Sequence, residues 1–176
     1  MTLPQAWARR ACVVRDIAAP ESWFTPDELA VAKEFRTEKR RVEWMLSRIA
    51  EKQLRQRGAT GAYVSYAHSG PYGAAAVDEH PVGIDVELLR DIPARATHLF
   101  LSEQEEADAQ QCPIANARLH FWSAKEAAWK QFGGAVPTLK RVPLRLLDQS
   151  ADGLTFDVVE TRRIDDAIVA LTRPTS

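Results

Sequence analysis

The sequence predicts an α+β fold of two small lobes, each a helix packed on a small antiparallel sheet, with the active site in the cleft between them. Helical periodicity is strongest over residues 38–57 and 115–132, one stretch in each half of the chain. Short apolar runs bounded by Gly, Pro, Ser and Asp follow both stretches, as strands and turns do. The 176 residues are 45% hydrophobic and 27% charged, enough to build one domain-sized core. Helices followed by strands occur once before Glu87 and once after it. The expected lobes are therefore residues 1–87 and 88–176, a pseudo-duplication of architecture without a residue-by-residue repeat. No linker divides them, so they form one compact unit. A helix over a sheet satisfies layer packing, and a ligand is expected where two such lobes meet.

Ala11–Ile17 reads as the first strand. Thr25-Pro26-Asp27-Glu28 is a helix start, with Thr25 as cap, Pro26 in the first turn and Glu28 closing a capping box. That helix runs to Phe35. The next covers Glu38–Arg57, stops at Gly58, and carries an apolar stripe of Val42, Met45, Leu46, Ile49 and Leu54. Its first half is basic through Lys39, Arg40, Arg41 and Arg48. Such a run is either a solvated face or a phosphate-binding surface. Strands follow at Ala62–Tyr66, Tyr72–Val77 and Val82–Glu87, the first two linked by a turn at His68–Pro71. Ser102-Glu103-Gln104-Glu105 is a second capping box, opening a helix to Cys112. A further helix spans Ala115–Phe132 and closes at Gly133-Gly134. Strands at Val142–Leu147, Leu154–Val159 and Ala167–Leu171 precede a polar tail, Arg173–Ser176.

Net charge is −1 and pI about 6.4, so no global imbalance points to nucleic acid or a membrane. Cys12 and Cys112 have no metal-like spacing and suit a reducing compartment. The first residues lack the basic and apolar blocks of a signal peptide, and no apolar run reaches membrane-spanning length. The expectation is a cytoplasmic protein.

Two stretches carry the chemistry. In Pro81-Val82-Gly83-Ile84-Asp85-Val86-Glu87, strand alternation puts Asp85 and Glu87 on one face and Val82, Ile84 and Val86 on the other. Neighbouring carboxylates repel and gain from a shared cation, and Mg²⁺ takes such oxygen ligands. The alternative is a strand with a polar solvent face. In Trp122-Ser123-Ala124-Lys125-Glu126-Ala127-Ala128-Trp129-Lys130, helical spacing groups Trp122, Glu126 and Trp129 and sets Glu126 one turn from Lys130. Either Glu126 and Lys130 form a surface ion pair, or Glu126 joins Asp85 and Glu87 in an acidic metal site beside phosphate-neutralising Lys125 and Lys130.

Gly83-Ile84-Asp85-Val86-Glu87, Phe100-Leu101-Ser102-Glu103-Gln104-Glu105 and Phe121-Trp122-Ser123-Ala124-Lys125-Glu126-Ala127-Ala128-Trp129-Lys130 occur in that order. This resembles the 4′-phosphopantetheinyl transferase superfamily, marked by G-[IV]-D-x-E and W-x-x-K-E-[AS]-x-x-K. Glu43–Lys52 is similar to that family's long first-lobe helix, and Ser65-Tyr66-Ala67-His68-Ser69-Gly70 to its S-H-S element. The two-lobed, surfactin-synthetase-type class is the better match. The resemblance implies transfer of the phosphopantetheine arm of coenzyme A to a serine of an acyl or peptidyl carrier protein, releasing 3′,5′-ADP. It implies that Asp85, Glu87 and Glu126 bind Mg²⁺, that Glu126 is also the general base, and that Lys125 and Lys130 contact the phosphates. It implies that His68 binds the 3′-phosphate, with Arg40, Arg41 and Arg48 as further coenzyme A contacts. An acidic carrier would meet the basic run or an apolar patch near Phe100–Leu101, and a two-lobed chain can work as a monomer. Two departures thin the nucleotide end. Ala67 stands for the first serine of S-H-S, removing a hydroxyl near the expected 3′-phosphate, and no G-K-P element precedes Ser65. They motivate an alternative, a non-catalytic coenzyme A or carrier-protein binding module. A third reading is an Mg²⁺-dependent nucleotide phosphoesterase.

Overall fold

The computed structural model describes residues 3–17 and 21–174, so Thr175 and Ser176 of the predicted tail lie outside the described residues. The architecture is α+β, with two antiparallel sheets and five α-helices among the described residues. The first sheet orders β1 (Ala11–Arg15), β2 (Tyr63–Ser69) and β3 (Tyr72–Asp78) as β1-β3-β2. The second contains β4 (Ile84–Leu88), β5 (Leu146–Gln149), β6 (Leu154–Phe156), β7 (Val159–Ile164) and β8 (Ala167–Thr172), ordered β4-β8-β7-β6-β5. The helices are α1 (Pro26–Glu34), α2 (Glu38–Gln56), α3 (Ala94–Thr97), α4 (Glu103–Gln111) and α5 (Ala117–Gln131). Both expected capping boxes form, at Thr25/Glu28 and Ser102/Glu105.

Alternation along the strands sorts side chains into three apolar layers. Leu46, Ile49, Ala50 and Leu54 of α2 pack on Cys12, Val14, Ala75 and Val77. Phe121, Ala124 and Ala128 of α5 pack with Phe156, Val159, Ile168 and Ala170. Between the sheets lie Ala67, Tyr72, Ala74, Ala76, Ile84, Val86, Val169 and Leu171. Each helix presses on a glycine. A Cβ at Gly73 would lie 2.3 Å from the Leu46 carbonyl carbon, and one at Gly83 would lie 1.8 Å from the Ala127 oxygen. The glycine before Asp85 is thus required by the contact of its strand with α5.

The sheets meet along β2 and β4, and side chains join them. The Ile84 N–H donates to Ser65 Oγ at 3.1 Å and the Leu88 N–H to Ser69 Oγ at 3.2 Å. Beyond this seam, Arg10 pairs with Asp78 and donates to the Thr172 carbonyl, while Arg15, Tyr72 and Asp166 bond one another. Arg10 precedes β1 and Arg15 is its last residue, so the strand ties the first sheet to the second at each end.

Several elements differ from expectation. β2 runs on through Ser69 because its serines bond β4, so His68 sits in a strand rather than a turn. The expected strand Leu154–Val159 is two strands: the Asp157 carboxylate accepts the Arg145 and Val158 N–H groups and turns the chain there. The strand expected from Val142 begins only at Leu146, and its register shifts between Leu146 and Asp148. Val42 is 41% exposed instead of joining the core stripe. Phe100 and Leu101 are buried, and the exposed apolar residue there is Leu99. No helix among the described residues is long and apolar enough to cross a membrane.

Candidate active site

β4 turns Ile84 and Val86 into the core between the sheets, so Asp85 and Glu87 project from its other face, toward α5. There Asp85 Oδ1 lies 2.9 Å from Lys130 Nζ, and Asp85 Oδ2 accepts the Ser123 hydroxyl at 2.8 Å. Lys130 also donates to the Ile84 carbonyl at 2.9 Å. Glu87 Oε1 accepts the Trp122 indole N–H at 2.8 Å, with Arg90 at 3.5 Å and the Ser69 hydroxyl 3.5 Å from Oε2. Glu126 differs from both. It feels the charges of Asp85 and Glu87, opposed by Lys130, and its carboxylate accepts no hydrogen bond among the described residues. Burial, then the Asp85 charge, raises the pKa of Glu126 and likewise that of Glu87. The cluster holds more negative charge than its neighbours neutralise.

Beside it, over the seam, opens a cleft of about 530 Å³. α2 contributes Lys39, Arg40 and Glu43, β2 contributes His68, and β4 with the residues after it contributes Glu87 and Arg90. His68 Nδ1 lies 3.6 Å from Glu43 Oε2. Burial lowers the His68 pKa, Glu43 opposes that, and the charges of Arg40 and Lys130 reinforce it. The cation on α5 and the histidine on β2 therefore share one electrostatic neighbourhood.

Three expected site residues stand elsewhere. Lys125 is fully buried, its ammonium 2.6 Å from Glu105 Oε1 and bonded to the Val142 carbonyl, so it does not reach the cleft. Glu105 completes that internal knot, accepting also the Leu144 and Ser102 N–H groups. Burial lowers the Lys125 pKa. Arg41 pairs with Glu38 at 2.5 Å and lines a separate groove with Val42 and Met45, because adjacent helical residues diverge by about 100° around the axis. Arg48 stacks over the Tyr66 ring at 3.6 Å and faces Trp44 at 5.0 Å. Of the three expected arginines only Arg40 lines the cleft. Ala67 also differs from expectation. It is buried against Ile84 and Val86, on the strand face opposite His68, so the missing hydroxyl belongs to the seam.

Sequence reading passed over Ser123, Arg90 and Glu43. Ser123 sits three residues before Glu126, a spacing that puts both on one side of a helix. Glu43 is three residues after Arg40 and carried the same signal. Arg90 lies beyond the strand and had none.

The donor chemistry of Asp85, Glu87 and Glu126 suits a hard cation: all ligands are carboxylate oxygens, and Ser123 and Trp122 orient two of them from outside. Among the described residues, however, no three His, Cys, Asp or Glu side chains are gathered closely enough to hold a metal ion as they stand.

Comparison with known proteins gives one family. A family model described as the 4′-phosphopantetheinyl transferase superfamily matches residues 81–168, half of the chain. Over 77 residues the chain is 34% identical to 4′-phosphopantetheinyl transferase psf-1 of Bacillus pumilus, covering 42% of this chain and 33% of that protein. Over 75 residues it is 32% identical to 4′-phosphopantetheinyl transferase Sfp of Bacillus subtilis (strain 168), covering 41% and 34%. The matched stretch thus spans about a third of the length of each of these relatives.

Proposed function

The chain belongs to the 4′-phosphopantetheinyl transferase superfamily, and on that premise we propose that it transfers the 4′-phosphopantetheine group of coenzyme A to a serine of an apo acyl or peptidyl carrier protein. The observation that carries the reading is the meeting of an under-neutralised acidic cluster with a cation-lined cleft. In this reading the cleft over the β2–β4 seam is the active site, between pseudo-duplicated lobes 1–87 and 88–176 of a cytoplasmic monomer.

Asp85, Glu87 and Glu126 would hold Mg²⁺, which when bound polarises the pyrophosphate and stabilises charge on the departing oxygen. The protein's own residues do the rest. Glu126, whose carboxylate accepts no hydrogen bond among the described residues, takes the proton of the carrier serine. The serine oxygen forms the new bond to the β-phosphorus, and the bond from that phosphorus to the bridging oxygen breaks. The electron pair leaves on 3′,5′-ADP. Lys130 leans from Asp85 toward the phosphates, while Arg40 and His68 receive the 3′-phosphate. Lys125 keeps α4 and α5 together and touches no substrate. Ser123 and Trp122 fix the rotamers of Asp85 and Glu87.

Intact-protein mass spectrometry tests this. An apo carrier protein incubated with the chain, coenzyme A and Mg²⁺ should gain one phosphopantetheine mass, and chelator should abolish the gain. Asp85→Ala and Glu126→Ala should each lose it, and full activity in either would reject the site assignment. The buried Lys125, which leaves the cleft one expected phosphate contact short, favours one second reading, a coenzyme A binding module that releases no 3′,5′-ADP.

A further inference from the structure

Glu43 is the unexpected group in the cleft. It is 5% exposed, yet it lines a space whose other α2 residues are cationic. A carboxylate there opposes any incoming phosphate and bears a desolvation cost of its own. Its surroundings explain its presence. Lys39 Nζ lies 3.8 Å away, Arg40 Nη1 3.5 Å and His68 Nδ1 3.6 Å. All three are charge contacts, longer than hydrogen bonds. Glu43 therefore gathers three nitrogen-bearing heads from two elements without consuming their donors. The heads of Lys39 and Arg40 remain 77% and 63% exposed, open to a ligand. With Nδ1 turned to Glu43, Nε2 is the His68 nitrogen left for that ligand.

We propose that Glu43 is a positioning residue. It holds the His68 ring and the Arg40 guanidinium in the orientation that selects nucleotides bearing a 3′-phosphate over those with a free 3′-hydroxyl. The inference rests on the nucleotide-binding reading given above and deepens it. The Glu43 carboxylate holds the ring by its charge contact at Nδ1, which leaves Nε2 on the other side of the imidazole to bond a phosphate. The other charges facing the ring are Arg40 of α2 and Lys130 of α5.

The sign of one substitution separates this from plain electrostatics. If Glu43 only adds negative charge, Glu43→Gln should tighten binding of a phosphate. If it positions His68 and Arg40, the same change should weaken it. Calorimetric titration of the full chain with adenosine 3′,5′-bisphosphate and with adenosine 5′-monophosphate supplies the measurement. Wild type should prefer the bisphosphate. Glu43→Gln should lose about tenfold of that preference, the size of one charge-assisted hydrogen bond from a misoriented His68 or Arg40 to the 3′-phosphate. Glu43→Asp should restore part of it. The Glu43→Gln/His68→Gln double variant should be no weaker than His68→Gln alone, because both changes remove one unit. Nitrogen chemical shifts of the His68 ring should move in Glu43→Gln before any ligand is added. Unchanged preference, tighter bisphosphate binding or unmoved ring shifts in folded Glu43→Gln would overturn the role of Glu43 alone. Failure of wild type to bind the bisphosphate would overturn the nucleotide reading, and this inference with it.

Discussion

α2 and α5 each lie across a sheet, each press on a strand glycine, and each bury one charged side chain; the two charges are neutralised in opposite ways. Lys125 of α5 is enclosed by Glu105 and the Val142 carbonyl, partners as deeply internal as itself. Glu43 of α2 is met by Lys39 and Arg40, whose heads are in solvent. The histidines repeat the contrast. His120 of α5 is buried against Thr161 at 2.8 Å, whereas His68 lines the cleft. A buried charge with internal partners holds structure together. One with exposed partners organises groups that a ligand can reach.

The largest expected effect tests the closed arrangement. Lys125→Met leaves Glu105 charged and buried, and should lower unfolding stability by roughly 3–5 kcal/mol in urea titrations. Adding Glu105→Gln should recover much of the loss, since Gln still serves the capping box. Full stability in Lys125→Met alone would dissolve the contrast.

His120 comes next. Burial lowers its pKa from 6.5 to about 4, so the unfolded chain binds the extra proton between these values. Its contribution is therefore complete above pH 6.5 and is lost as pH falls toward 4, by up to roughly 3 kcal/mol. Thermal melts across that window should show this slope, and His120→Gln should flatten it.

Gly83→Ala forces a methyl into the Ala127 carbonyl and should cost about 1–3 kcal/mol, with Gly73→Ala costing a similar amount in the other half. A difference in metal response between them would show which strand shapes the acidic cluster.

The smallest effect is a gain. Glu126 has its pKa raised, so the folded state binds the extra proton and stability declines as pH rises past the ordinary carboxyl value. Glu126→Gln should therefore raise stability at neutral pH, by about half a kcal/mol or less after solvent screening. Mg²⁺ should stabilise wild type in the same assay and leave this variant unmoved.

Much of this was legible locally. The two capping boxes name their own residues, and alternation alone sends Asp85 and Glu87 to one face. What escaped depends on partners distant in sequence. Lys125 and Lys130 both look like phosphate ligands, and only Glu105, 20 residues upstream, decides that Lys125 is internal. Arg40 and Arg41 are indistinguishable by composition, but helical rotation sends them to different grooves. The reach of β2 through Ser69 depends on amides 19 residues further on. No periodicity reports such a bond.

That bond also bears on how the molecule yields under load. A run of amides across the β2–β4 boundary would weld the halves, and any opening would break several contacts in series. Two serine hydroxyls make hinge pins instead. Each can swivel about one torsion, and each frees a single amide to water if it lets go. Opening the groove at this seam would release those amides while every sheet ladder stays intact and the Arg10 and Arg15 contacts still join the sheets beyond it.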